Sequence, residues 1–282
     1  LPSLFYSNGR PTIWSSATLK SPNCGTTVGA GIGPFKIVSK GTDQFTTVLE
    51  ANTNYWRKKV FPYYKANRKK NQEKSELDWK QIFECLNKIR AELKEYFPYR
   101  VIDVESAEAD DIIATLIKQH YTEEKILILS GDKDFIQLHT FNNVKQFDPV
   151  RKKWITHSDP QKFLEEHILR GDSGDGVPNV LSPDNCFVVG ERQKPLTQKR
   201  IDSMMELSIA SKFDHPNFRN YCRNQALIDL SQVPESIYNK VISSYEEQDN
   251  KNSSKLFNYF IANKLKADKS QFGRPHHSRK ER

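Results

Sequence analysis

Residues 99–130 change hydrophobic period twice, and this constrains the fold more than any other stretch of the chain. YRVIDV, residues 99–104, reads as a strand. AEADDIIATLIKQH follows, with Ile112, Ile113, Leu116, Ile117 and His120 along one helical stripe. KILILS, residues 125–130, is then a short continuous apolar run, as in a strand covered on both faces. Strand, helix, strand in that order predicts a parallel α/β sheet, because parallel strands need a crossover connection. Ahead of this unit, Leu77, Ile82, Phe83, Leu86, Ile89, Leu93 and Phe97 have the spacing of an amphipathic helix. Beyond Trp154 the strand signals fade. Helices are predicted over 201–212, over 234–245 behind a strand-like ALIDL, and over 254–265.

The helix inside this unit opens with three carboxylates, Glu108, Asp110 and Asp111. Acids in a first turn complement the helix dipole, which accounts for one or two of them. LSGDKDF then places Asp132 and Asp134 just after the KILILS strand, with both side chains on one side. That is the carboxyl end of the strand, where open parallel sheets place ligands. GDSGDGVPN, residues 171–179, adds Asp172 and Asp175 among small residues. Any one of these clusters reads equally well as a cap or a turn. Three in one basic chain point to a shared cation site, because gathered carboxylates need cations to offset their repulsion. Oxygen-only ligands suit Mg²⁺ or Mn²⁺ rather than Zn²⁺. Two such ions roughly 3.5–4 Å apart would bind a phosphodiester, activate a water and stabilise the leaving oxygen. None of the seven histidines has a partner at metal-ligand spacing, and no serine sits in a nucleophile elbow. His139 is expected to pack or hydrogen-bond near the Asp132–Asp134 loop, and His276 and His277 lie in the tail.

The chain has 282 residues, and its 43 Lys+Arg against 35 Asp+Glu leave a net charge of +8, which suggests a polyanionic partner. The excess is concentrated in YWRKKVFPYYKANRKK, residues 55–70. Arg57, Lys58, Lys59, Lys65, Arg68, Lys69 and Lys70 stand there without an acid, interleaved with Trp56, Phe61, Tyr63 and Tyr64. One reading is a solvated charged helix with its aromatics in the core. The other is a nucleic-acid face, on which Lys65 and Arg68 meet the scissile phosphate opposite the metals. There Tyr63, Tyr64 or Trp56 would stack on unpaired bases. The mean hydropathy of −0.71 and the lack of a long apolar run argue against a membrane span, and no signal peptide is visible. Cys24, Cys85, Cys186 and Cys222 are far apart with no zinc spacing, as expected of reduced thiols in the cytoplasm.

Residues 1–45 read differently, with six of the twelve glycines and Asp43 as their single acid. They are expected to be an atypical N-terminal segment, either a flexible extension or a truncated or frame-shifted start. The remainder divides into an α/β core over 46–157 that includes a basic arch at 55–75, a helical DNA-binding domain over 158–270, and a basic tail over 271–282.

Taken in order, six stretches resemble the flap endonuclease / 5'-3' exonuclease family, in particular its bacteriophage ribonuclease H branch. They are YWRKKVFPYYKANRKK, AEADDIIA, ILILSGDKDFIQLH, NVKQFDPVRKKW, GDSGDGVPNV and QALIDLSQVPESI, spanning roughly residues 52–262. The resemblance implies a PIN-like α/β nuclease core with a parallel sheet and a helical arch, followed by a C-terminal helical DNA-binding domain. It also implies Mg²⁺-dependent removal of RNA primers and 5' flaps during lagging-strand replication. The substrate would be DNA with a 5' flap or an RNA–DNA hybrid. By motif position, Glu108, Asp110, Asp111, Asp132, Asp134, Asp172 and Asp175 would be metal-site carboxylates, and Lys65 and Arg68 the arch cations. A monomer is implied, working in the host cytoplasm beside a single-stranded-DNA-binding protein and a sliding clamp.

Three departures stand out. The family's first-strand aspartate has no counterpart in residues 1–45, and Leu49, beside Glu50, holds the place of a second-strand aspartate, with Asp43 a poorer substitute. The GDxSDNIPG pattern is also altered, with Gly174 before Asp175 and Gly176 after it. These departures leave open a branched-DNA-binding relative with impaired catalysis. A haloacid-dehalogenase-like phosphatase is disfavoured by order, because its DxD belongs on the first core strand.

Overall fold

Backbone alone is described for residues 5–7, 10–12, 35–40 and 44–49 in this computed structural model, and side chains for 55–68, 74–122, 124–207, 215–248 and 254–263. The elements are β1 (Phe5–Ser7), β2 (Arg10–Thr12), β3 (Phe35–Lys40), β4 (Gln44–Leu49), α1 (Arg57–Val60), α2 (Trp79–Tyr96), β5 (Arg100–Ile102), α3 (Ala109–His120) and β6 (Ile126–Leu129). A 3-10 helix (Lys133–Thr140) follows, then β7 (Val144–Asp148), β8 (Lys153–Ile155), α4 (Pro160–Arg170), α5 (Cys186–Val189), α6 (Gln198–Met205), α7 (Phe218–Ile228), α8 (Glu235–Glu246) and α9 (Ser254–Ala262).

The two runs expected as strands, β5 and β6, lie in one sheet of order β5-β4-β3-β6-β7-β8. They point the same way, with α3 crossing between them, but they are not neighbours. β3 and β4 stand between them as an antiparallel pair, β3 in the segment that shows no strand period and β4 ending at Leu49, where the resemblance sets a strand end. β4 pairs parallel with β5, and β6 parallel with β7, whereas β3 opposes β6 and β8 opposes β7. The sheet is therefore mixed rather than wholly parallel. A connection of three residues between β3 and β4 permits only an antiparallel return. Asp43 and Glu50, weighed as replacement carboxylates, lie outside the described residues, as do Lys69, Lys70 and the tail.

The apolar stripe of α3 is buried as its spacing predicts. Ile112, Ile113, Leu116 and Ile117 join Ile102, Ile126, Ile128, Phe135 and Val144 in one core, and Leu230, Ile237, Val241 and Tyr245 complete it from the C-terminal region. α9 packs in the same manner on α2, with Tyr259 among Ile89, Leu93, Phe97 and Val101. Hydrophobic clusters thus cross the expected boundary at 157. ALIDL, which reads like a strand, is instead the end of α7 and the start of a 3-10 turn (Leu230–Gln232). Asp229 accepts from Ser231 N there, and that local bond favours a turn over a strand. No helix among the described residues is long and apolar enough to cross a membrane.

Candidate metal centre

The carboxylates at the head of α3 divide into two kinds. Asp111 accepts from the Glu108 backbone N–H at 2.9 Å, a capping-box contact that fixes the first turn. It also accepts from Trp56 Nε1 at 3.0 Å and from an Arg57 Nη at 2.9 Å. The same guanidinium donates to Glu108 Oε2 at 2.9 Å, and Arg57 Nε donates to the Leu227 carbonyl at 2.8 Å. Arg57 is 2% exposed and Asp111 0%. Burial alone would lower the Arg57 pKa, but Asp111, Tyr64 and Glu108 outweigh it and the guanidinium holds its proton more firmly than usual. Asp111 therefore anchors the helix and is not placed to ligate a metal. Arg57, expected on a nucleic-acid face, is an internal counter-ion, because two buried carboxylates need one.

The basic segment turns part of its charge inward. Lys65 pairs with Glu108 and lies 3.6 Å from Asp175 Oδ2, while Arg68, half exposed, meets Asp175 Oδ1 at 2.9 Å. The buried Lys65 ammonium also sits over the Tyr55 and Tyr64 rings, 4.9 and 5.1 Å from their centroids. The Tyr64 hydroxyl lies 2.7 Å from Glu108 Oε2 and 2.8 Å from Asp175 Oδ2. It has one proton for the two, so it serves only one at a time. Burial first, then the Asp175 and Glu108 charges, hold that phenol well above its usual range. Trp56 and Tyr64 are core residues, so of the three aromatics expected to stack on bases only Tyr63 is exposed. Lys58 is half-buried over the Tyr55 ring, and Lys59 is exposed.

One cleft gathers the remaining acids. Asp110, Asp134, Asp172 and Asp175 line it together with Arg57, Tyr64 and His167, over a floor of Val177, Leu227, Ile228 and Leu230. Asp132 caps the 3-10 helix, accepting from Asp134 N at 3.1 Å, and its charge also reaches His167. His139 lies beyond the cleft, 3.0 Å from Gln146 Oε1.

His167, which no sequence spacing marked as a ligand, comes from the last turn of α4. Its Nδ1 is 3.7 Å from Asp134 Oδ1, and ligand atoms of Asp134, His167 and Asp172 all lie within 4.8 Å of one another. Burial lowers the imidazole pKa, and the Asp172, Asp132 and Asp175 charges only partly restore it. The ring is therefore neutral near pH 7 with a lone pair to offer. The only linear hint was its position five residues before Asp172. Carboxylate oxygens with one buried imidazole nitrogen make a donor set that fits a divalent cation.

Small residues shape the wall that carries Asp172 and Asp175. α4 ends at Gly171 with φ +68, and the chain turns back so that Val177 N donates to the Asp172 carbonyl at 2.7 Å. Asp172 Oδ1 accepts from Gly174 N at 2.7 Å, and Lys65 N donates to the Asp175 carbonyl at 2.8 Å, which ties this loop to the basic segment. A Cβ on Gly171 would lie 2.4 Å from the Val177 carbonyl oxygen. Gly171→Ala is therefore expected to cost about 1–3 kcal/mol in backbone strain. A lower thermal midpoint, together with weaker divalent-cation binding, checks this; an unchanged midpoint contradicts it.

Comparison with known proteins shows the family and the fold. The family model for the 5'-3' exonuclease N-terminal resolvase-like domain matches residues 17–167, so its match begins inside the segment set apart as atypical. That for the T4 RNase H C-terminal region matches residues 161–271. The ribonuclease H of Enterobacteria phage T4 is 36% identical over 219 residues, covering 75% of this chain and 72% of the relative. The flap endonuclease Xni of Shewanella woodyi is 32% identical over 142 residues, covering 47% of this chain and 52% of that protein. Among solved structures, the T5 D15 protein co-crystallised with metal ions superposes with a TM-score of 0.56 at 18% identity, covering 72% of this chain and 85% of that one.

Proposed function

We propose, for a chain that belongs to the 5'-3' exonuclease family, that its acidic cleft hydrolyses phosphodiester bonds at the 5' ends of RNA–DNA hybrids and 5'-flapped DNA. The observation that carries this reading is the convergence of Asp110, Asp134, Asp172 and Asp175 from three separate segments into one cleft beside Arg68. Asp110, Asp134 and Asp172 would hold the divalent cation, Mg²⁺ or Mn²⁺ by a donor set rich in oxygen. When bound, such an ion lowers the pKa of a coordinated water and screens the phosphate. Arg68, half exposed at the rim, is placed to exchange Asp175 for a substrate phosphate, and Lys59 and Tyr63 extend the exposed basic and aromatic face. Buried Lys65 and Arg57 hold Glu108 and Asp111 in register rather than touch nucleic acid. Removal of RNA primers and flaps on the lagging strand of a phage replication fork in the host cytoplasm is the role this activity suits. A single-stranded-DNA-binding protein and a sliding clamp are the partners that such work implies.

Incubation with a 5'-labelled RNA–DNA hybrid and a 5'-flap duplex tests the reading. Short 5' products that need Mg²⁺ and vanish with a chelator are expected, and intact substrate at every metal concentration would count against it. A second reading, branched-DNA binding with impaired catalysis, is favoured by one observation: Glu108 is already engaged by Arg57, Tyr64 and Lys65. Flap binding that weakens steeply with salt and brings no turnover would select it.

A further inference from the structure

His167 is the one cleft residue whose ring nitrogen has been removed from water without a substitute. Its Nδ1 is buried and has no hydrogen-bond partner among the described residues. The nearest carboxylate oxygen, Asp134 Oδ1 at 3.7 Å, is beyond hydrogen-bond reach. A buried polar atom left this way costs free energy, unless something outside the chain satisfies it. The ring is also held in place. α4 is fixed at its start by Asp159, which accepts from Lys162 N, with Pro160 in the first turn. One helical turn before His167, Phe163 meets its ring edge to face at 6.0 Å, and His157 packs against Phe163 at 5.2 Å. The imidazole is thereby presented to Asp134 and Asp172, whose oxygens lie within 4.8 Å of it.

We propose that His167 Nδ1 is a ligand to the cation held by Asp134 and Asp172, and that this nitrogen makes the position select Mn²⁺ and other first-row transition ions over Mg²⁺. The inference rests on the reading of the cleft as a metal centre and adds the identity of one donor and its consequence. Mg²⁺ demands oxygen ligands and keeps its waters, so a buried imidazole offers it little. Mn²⁺, Fe²⁺ and Co²⁺ accept imidazole readily, with affinities rising along that series. A carboxylate-only site lacks this bias. Replacing the nitrogen should therefore change which ion binds more than whether an ion binds.

Direct ion-binding measurements on the full chain test this apart from catalysis. Mn²⁺ binding is followed by the electron paramagnetic resonance of the free ion, and Mg²⁺ binding by calorimetry, for the wild type, His167→Ala, His167→Gln and Asp134→Asn. Loss of a ligand is expected to weaken Mn²⁺ binding by about tenfold or more in H167A and H167Q. Mg²⁺ affinity should hold within about twofold in both, because oxygen donors carry it. D134N should weaken both ions. On the Mn²⁺-loaded wild type, electron spin-echo modulation should show ¹⁴N coupling from a directly bound imidazole. That measurement decides alone if both His167 variants fail to fold. Unchanged Mn²⁺-to-Mg²⁺ preference in the variants, or no ¹⁴N coupling in the wild type, overturns the proposal. If D134N still weakens both ions, the metal centre stands and only the histidine ligand falls. If D134N changes neither, the metal-centre reading falls with it.

Discussion

Asp134→Asn is expected to lower cleavage of a 5'-labelled RNA–DNA hybrid by roughly 10²–10³-fold or more, with the fold intact. Asparagine keeps the shape but removes the charge that a cation needs, at the point where the 3-10 helix, α4 and the Asp172 loop meet. The local structure should survive, because asparagine keeps two of its bonds, which run through the backbone. Asp134 N donates to Asp132, and the Asp134 carbonyl accepts from Gln137. The thermal midpoint should therefore stay within about 2–4 °C, as for a same-shaped substitution that keeps these backbone bonds. Single-turnover cleavage measured beside the melting curve checks both parts. A near wild-type rate would remove Asp134 from the reacting centre, and a collapse in stability would mean that the loss of rate was indirect.

Arg57→Met should have the opposite signature, a large loss of stability that does not depend on substrate. The substitution leaves Glu108 and Asp111 buried with their main counter-charge gone, and Leu227 without its donor. Breaking a buried pair in this way costs about 3–5 kcal/mol, which for a chain of this size lowers the thermal midpoint by roughly 10 °C. Arg57→Lys should recover little. The planar fork holds Glu108 and Asp111 through its Nη groups while its Nε reaches the Leu227 carbonyl on another segment, and an ammonium cannot reproduce this. Thermal unfolding of the two variants decides this. A wild-type midpoint in R57M would return Arg57 to the surface role that its neighbours suggested.

Much of the local structure was legible in residue order. The strand-like YRVIDV, the helical stripe from Ile112 to Ile117 and the apolar run KILILS each become the predicted element, because hydrophobic pattern reports burial within a single segment. β3 was not legible, and β4 only through the resemblance that sets a strand end at Leu49. Their six-residue runs sit among glycines and polar residues, and pairing across the sheet supplies what local pattern lacks. The gathering of acids was legible as chemistry, since three acidic clusters in a basic chain call for cations. Their division was not. Asp110 and Asp111 are adjacent, yet one lines the cleft and the other is a fully buried anchor for Arg57.

Charge is where linear reading fails for a physical reason. In YWRKKVFPYYKANRKK every cation looks alike, because residue order carries no distances between charges. Arg57 finds its carboxylates 51 and 54 residues away and its carbonyl 170 away, and Lys65 finds Glu108 across 43. Coulomb energy depends on separation and on the surrounding dielectric, and both are set when the chain closes. The order of residues by itself determined an α/β core carrying acidic loops and a basic segment. Only the tertiary structure decided which acids face the cleft, which cations are consumed inside, and that His167 stands among the donors. The reason is that these are properties of distance and burial, neither of which one segment contains alone.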